Sequence, residues 1–182
     1  MTIESRLPAV LTPPLSRNVQ LLLESRVPAR LAWNDAGGAP RVAPLWFRWT
    51  GTTLELSTFA GSRKLDELRD RDAVAVSIDT EDFPYRSLRI RGRVTIEAVK
   101  GLTSSYEQTA RRYLGDGPAQ DWCDRLAGAN QALLIIHPTE ASASDMWSAA
   151  YLTEPASARY QTPTLEERRG TSQWTRHPHR GD

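Results

Sequence analysis

Residues 88–97 constrain the fold most tightly. Leu88, Ile90, Val94 and Ile96 alternate there with Arg89, Arg91, Arg93, Thr95 and Glu97. Side chains on a strand point to opposite faces in turn, so this segment carries one apolar face and one charged face. Gly92 falls on the apolar side, where a missing side chain admits a bulge, or the close approach of another backbone or a ligand.

Further strand signals surround it. After a Pro-punctuated lead, Ser16 can cap a short helix whose apolar face holds Val19, Leu22 and Leu23. Ala29–Trp33 reads as a strand, and the turn residues Asn34–Gly38 tolerate positive φ. The run Arg41–Trp49 is strand-like, with Pro44 implying an edge or a bulge. Beyond Gly51, Leu54 and Leu56 alternate with Glu55 and Ser57. These three strands predict an antiparallel meander. Ala73–Ile78, Ala132–Ile136 and Ala141–Trp147 complete a set of about seven strands.

Helices are predicted from Ser62 to Asp70, from Leu102 to Leu114, and from Asp116 to near Gly128. The first buries Leu65 and Leu68 and turns Asp66, Glu67 and Arg69 to solvent. The pattern is mainly β with added α: a barrel with flanking helices rather than a parallel α/β sheet. No Gly-x-Gly-x-x-Gly opens a helix, so a dinucleotide fold has no support. The chain divides into a lead (1–15), a barrel domain (16–153) and a polar, Arg-rich tail (154–182), whose composition favours disorder when alone.

Composition excludes several functions. The net charge of +1 argues against bulk electrostatic binding to nucleic acid or an anionic membrane. Aromatics are not interleaved with Arg89–Arg93, so a nucleic-acid surface is not expected there. The longest aliphatic runs, Leu21–Leu23 and Ala132–Ile136, are far too short to span a bilayer, and Pro8, Pro13 and Pro14 break any signal-type core. A cytoplasmic protein is expected. The single cysteine, Cys123, rules out an intrachain disulfide framework and reads as a small buried thiol. Few histidines offer no metal or haem site, and His137 reads as structural. Arg89, Arg91 and Arg93 admit two readings. They line a groove for anions, or they form a solvated face with partners among Asp79, Glu81 and Asp82. Trp33, Trp46, Phe47 and Trp49 either form a stacking pocket or serve as core.

The stretch Ser57-Thr58-Phe59-Ala60-Gly61-Ser62-Arg63-Lys64 carries the clearest chemistry. It leaves a strand and enters a helix expected near Ser62. That start puts two cations in the first turn, where carboxylates are normally favoured. Hydroxyls, a glycine, free backbone N–H groups and two cations suit an anion such as a phosphate.

Three motifs in order resemble the pyridoxamine-phosphate-oxidase-like split-barrel flavoproteins, a superfamily that also holds deazaflavin-dependent reductases. They are Gly38–Phe47, the stretch Leu54–Thr58 leading into Gly61–Leu65 with Arg71-Asp72 beyond, and Leu88–Ile96 around Gly92. The resemblance covers about residues 16–148. It implies an antiparallel split β-barrel of Greek-key type, a homodimer, and FMN as cofactor, with coenzyme F420 as the alternative. It also implies that Thr58, Ser62, Arg63 and Lys64 hold the cofactor's phosphate and that Val42, Ala43, Pro44 and Leu45 lie along its ring. A partner chain would complete the site, with Trp147 a candidate. Glu67 stands where many relatives have Asn, and the tail's Arg176-His177 pair is no counterpart of the true oxidases' signature, so vitamin B6 oxidation is not implied. The implied activity is hydride transfer between the cofactor and a small organic substrate; the non-enzymatic alternative is a flavin-binding or sensing module.

Overall fold

The computed structural model describes residues 7–145. Trp147, Arg176, His177 and the tail 154–182 lie outside them.

The period-two segment forms β6 (Arg86–Val99), with Leu88, Ile90 and Val94 buried and the three arginines exposed. It pairs antiparallel with β5 (Ala73–Asp79) on one side and β7 (Gln131–Asp145) on the other. β7 is one strand of 15 residues where the sequence predicts two. The apparent break at Pro138-Thr139 is a bulge: Gly92 faces Pro138, Arg91 faces Glu140, and Thr139 is the extra residue. Gly92 is required at that point, because a Cβ there would lie 2.3 Å from the carbonyl oxygen of His137.

The remaining strands are β1 (Ala29–Asn34), β2 (Pro40–Leu45), β3 (Phe47–Trp49) and β4 (Leu54–Phe59). The sheet order is β2-β1-β5-β6-β7-β4-β3. The expected meander is therefore two hairpins on opposite edges, and the predicted 41–49 strand divides at Trp46. Strands β2 and β3 occupy the two edges yet are separated by one residue. Consecutive Cα atoms lie only ~3.8 Å apart, so the sheet must curl until its edges meet. The result is a barrel with Trp46 at its seam. Pro44 sits on the edge strand, where its missing N–H costs no ladder bond.

Inside the barrel pack Leu31, Phe47, Leu54, Leu56, Leu134 and Ile136, each at most 1% exposed. Helix α1 (Arg17–Glu24) adds Val19, Leu22 and Leu23, and the Ser16 hydroxyl accepts from Val19 N–H as its cap. Helix α2 (Lys64–Asp70) adds Leu65 and Leu68. The lead contributes Leu11, which is fully buried in the same core.

Helices α3 (Ser104–Leu114) and α4 (Asp116–Arg125) follow β6. Gly115 links them at φ 86°, a conformation that favours glycine. The start of α3 is pinned to the sheet. Thr103 Oγ1 caps Tyr106 N–H and meets Ser57 Oγ at 2.8 Å, while Thr103 N–H donates to Gln131 Oε1 at 3.0 Å. Arg112 ties α3 to the barrel by donating to the carbonyls of Leu23 and Phe47, with its guanidinium over the Phe47 ring.

On the charged face the partners differ from those expected. Arg91 pairs with Glu140 at 3.3 Å and Arg93 with Asp72 at 2.5 Å. Asp79 and Glu81 instead engage Arg30, which stands beside them on the neighbouring strand. Arg89 has Ser77 and Ser142 in register and no ion pair among the described residues. Among those residues no helix is long and apolar enough to cross a membrane.

Candidate functional site

Helix α2 begins at Lys64, two residues later than the sequence predicts. The chain first makes a turn in which Ser62 N–H bonds the Phe59 carbonyl and Leu65 N–H bonds that of Ser62. Arg63 is the cap residue and makes no side-chain cap bond. The helix is seven residues long, so the dipole argument contracts and any affinity for an anion rests on side chains.

Those side chains converge. Lys64 Nζ donates to Thr58 Oγ1 at 2.8 Å and to Ser62 Oγ at 2.7 Å. An ammonium has three N–H donors and each hydroxyl keeps its own proton. One N–H and two O–H groups therefore remain for the oxygens of a bound anion. Burial pulls the Lys64 pKa below the ordinary lysine value, because desolvation disfavours its charge until an anion arrives.

Arg63 does not join them. Its side chain is 87% exposed and meets Glu67 Oε1 at 3.5 Å. Glu67, expected in solvent, is only 12% exposed and accepts the Trp33 indole N–H at 2.7 Å. A half-buried indole needs an acceptor, and Glu67 is the one within reach.

Thr58 also opens on a recess of about 270 Å³, lined by Pro44, Leu45, Trp46, Tyr106 and Trp122. Trp46 stacks against Tyr113 at 5.0 Å and Tyr106 at 5.8 Å, and Trp122 Nε1–H donates to the Tyr106 hydroxyl at 2.8 Å. Of the four aromatics weighed as a stacking pocket, only Trp46 lines it. Phe47 is core, Trp33 binds Glu67, and Trp49 packs on the core. Phe59 lines the recess too, and the remaining aromatics, Tyr106 and Trp122, lie on two helices and sixteen residues apart in sequence, a proximity no sequence spacing reveals.

The residues singled out from the sequence thus separate. Thr58, Ser62 and Lys64 meet, and Thr58 shares the recess with Pro44 and Leu45. Val42 is 67% exposed on the outer face of the edge strand, Ala43 is half-buried, and neither lines the recess. Cys123 is half-buried rather than buried; burial first, then Glu107 and Asp124, push its pKa up, which keeps the thiol protonated. His137 meets Thr95 Oγ1 at 3.1 Å. No cluster of three metal-ligating side chains occurs among the described residues.

Comparison with known proteins supports the fold. The family model for pyridoxamine 5'-phosphate oxidase matches residues 15–145. No curated protein matches the chain. A solved structure described as an F420 reductase is 30% identical, with 68% of this chain and 94% of that one covered at a TM-score of 0.54. A conserved hypothetical protein of Mycobacterium tuberculosis shares the fold at 17% identity, with 86% and 98% covered and a TM-score of 0.60. A putative pyridoxamine 5'-phosphate oxidase of Listeria innocua is 20% identical, with 71% and 95% covered at 0.50. The matched span takes in the barrel, the Lys64 cluster and the aromatic recess, and the chain belongs to the pyridoxamine 5'-phosphate oxidase family.

Proposed function

We propose that this protein is an oxidoreductase that holds a flavin-type cofactor by its phosphate and transfers hydride between that cofactor and a small organic substrate. The observation that carries this reading is the Lys64 ammonium held between Thr58 and Ser62, with three donors left over, at the mouth of an aromatic-walled recess. The donor set suits a phosphate. The bound cofactor supplies the two-electron chemistry.

The protein's own part is positioning. Lys64, Thr58 and Ser62 anchor the anionic end, and Pro44 and Leu45 offer a surface for the ring. The walls from α3 and α4 exclude water from the reacting face. FMN is the cofactor of the leading reading. Coenzyme F420 is the second, favoured by the 30% identity to a protein described as an F420 reductase. Titration of the cofactor-free protein with each decides between them. Stoichiometric binding of one, with loss of its signal on substrate addition, supports the enzyme; binding without turnover supports a sensing module; binding of neither overturns the reading.

A homodimer belongs to the same proposal. On the outer face of β2, β1 and β5, Val42 and Ala75 are exposed and Ala32 is half-buried, beside Arg91. These apolar side chains offer a surface on which a second copy can pack closely. Ala75→Arg sets a second cation beside Arg91, and sedimentation velocity is expected to show the mass falling to that of the 20.4 kDa monomer. An unchanged mass places the interface elsewhere.

A further inference from the structure

Among the chain's 23 lysines and arginines only two are lysines, Lys64 and Lys100. Arginine is the better fit wherever a phosphate needs only a permanent, planar fork of donors. Lysine differs in one respect that matters beside Thr58 and Ser62: it can give up its proton and become a nucleophile. Burial favours that loss, since it pulls the Lys64 pKa below the ordinary value.

The contacts of Nζ fix the shape of the neutral amine. Two of its tetrahedral positions are directed at Thr58 Oγ1, 2.8 Å away, and Ser62 Oγ, 2.7 Å away. Both oxygens accept, so these positions carry N–H bonds in either charge state. The proton that leaves is the third, and the lone pair takes its place. That lone pair has the direction in which the ammonium would meet a bound anion. Lys64 is half-buried, so a small reagent still reaches it. Beside it the two hydroxyls keep their own protons, which suit the oxygens of a phosphate. Phosphate donors next to an oriented lone pair fit one class of electrophile: an acyl group carried on a phosphate.

We infer that Lys64 is an acylation site of the cofactor-free protein, where an acyl phosphate docks by its phosphate on Thr58 and Ser62 and passes its acyl group to Nζ. The amine attacks the carbonyl carbon and a C–N bond forms. The bond from that carbon to the phosphate oxygen breaks, and its electron pair leaves on the oxygen. Orthophosphate carries away the surplus amine proton, and nothing is oxidised or reduced. The amide product is uncharged and has a single N–H, so it cannot keep both hydroxyl partners. Acylation thereby closes the anchor to a cofactor's phosphate. This last consequence rests on the flavin reading; the acyl transfer does not.

The test incubates the cofactor-free, full-length protein with acetyl phosphate and follows acetylation of Lys64 and Lys100 by peptide mass spectrometry. Lys100 is exposed just after β6, so accessibility alone favours it. Lys64 is nevertheless expected to react about tenfold faster, because the donor is held beside its amine. N-succinimidyl acetate, an acyl donor without a phosphate, should remove that preference. Inorganic phosphate should slow Lys64 and leave Lys100 unchanged. Equal rates at the two lysines, the same preference with both donors, or indifference of Lys64 to inorganic phosphate overturns the inference. Calorimetric titration of the acetylated protein with FMN and with F420 then reads the consequence. The loss of binding sites should track occupancy of Lys64 and not of Lys100, and full binding by protein acetylated at Lys64 overturns the closure. A protein that binds neither cofactor before treatment sinks only the flavin reading, since the acetylation rates are measured without cofactor.

Discussion

Replacing Lys64 with Ala is expected to weaken binding of FMN or F420 about 10- to 100-fold, the loss of one charge-assisted hydrogen bond of ~1.5–3 kcal/mol. Arg63→Ala is expected to change it far less, since an exposed ion pair is worth only about 0–1 kcal/mol. The asymmetry follows from placement: Lys64 is held by Thr58 and Ser62, whereas Arg63 leans on Glu67 in solvent. Calorimetric titration of each variant checks it, and equal losses would return Arg63 to the site. Acidity gives an independent handle. The Lys64 pKa is lowered by burial, so cofactor affinity should decline with rising pH before an ordinary lysine deprotonates. Stability of the cofactor-free protein should move the other way. The unfolded chain holds its proton up to the ordinary value, so folding is favoured progressively from the lowered pKa up to 10.5. Lys64→Ala should flatten both profiles and leave the cofactor-free melting temperature undiminished.

Gly92→Ala should damage the fold more than any surface change. The added methyl would stand 2.3 Å from the His137 carbonyl oxygen, 3.0 Å from its carbon and 3.2 Å from Ile136 Cγ2. The first two are backbone atoms of a strand bonded on both sides, so relief requires moving the longest ladder in the sheet. Overpacking of this kind costs ~1–3 kcal/mol, occasionally more, and a chain of this size loses about 2–4 °C of melting temperature per kcal/mol. A fall of roughly 5–10 °C is therefore expected from thermal unfolding followed by circular dichroism. A shift under ~2 °C would mean that the bulge relaxes freely.

The sequence disclosed what depends on local pattern. The alternation in 88–97 specified the central strand and its buried face, Gly92 announced a close approach, and Ser16 and Pro44 declared a cap and an edge. It misled where long-range pairing overrides local signals. Pro138-Thr139 looks like a strand end, yet pairing with β6 on one side carries β7 through it as a bulge. Trp46 looks like one strand residue among many, yet it is where the sheet changes edge. At the site, Thr58, Ser62 and Lys64 were legible because they lie within seven residues of one another and share one chemistry. Glu67 was misread because its helical position says nothing of the Trp33 indole that claims it. Gln131, Tyr106 and Trp122 were invisible as a group; only the packing of α3 against β4 and β7 makes them neighbours.

The closure at Trp46 has a mechanical meaning. Every other strand boundary in the sheet is stitched by backbone hydrogen bonds, but no ladder joins β2 to β3. Their edges are held together by the short covalent link and by the Trp46 ring lying against Tyr106 and Tyr113. Parting them sacrifices ring contacts and leaves the ladders whole. Pro44, Leu45 and Trp46 are also one lip of the recess. The one junction that no ladder spans thus borders the recess, whereas β4, the strand that leads into the Lys64 anchor, is laddered on both sides.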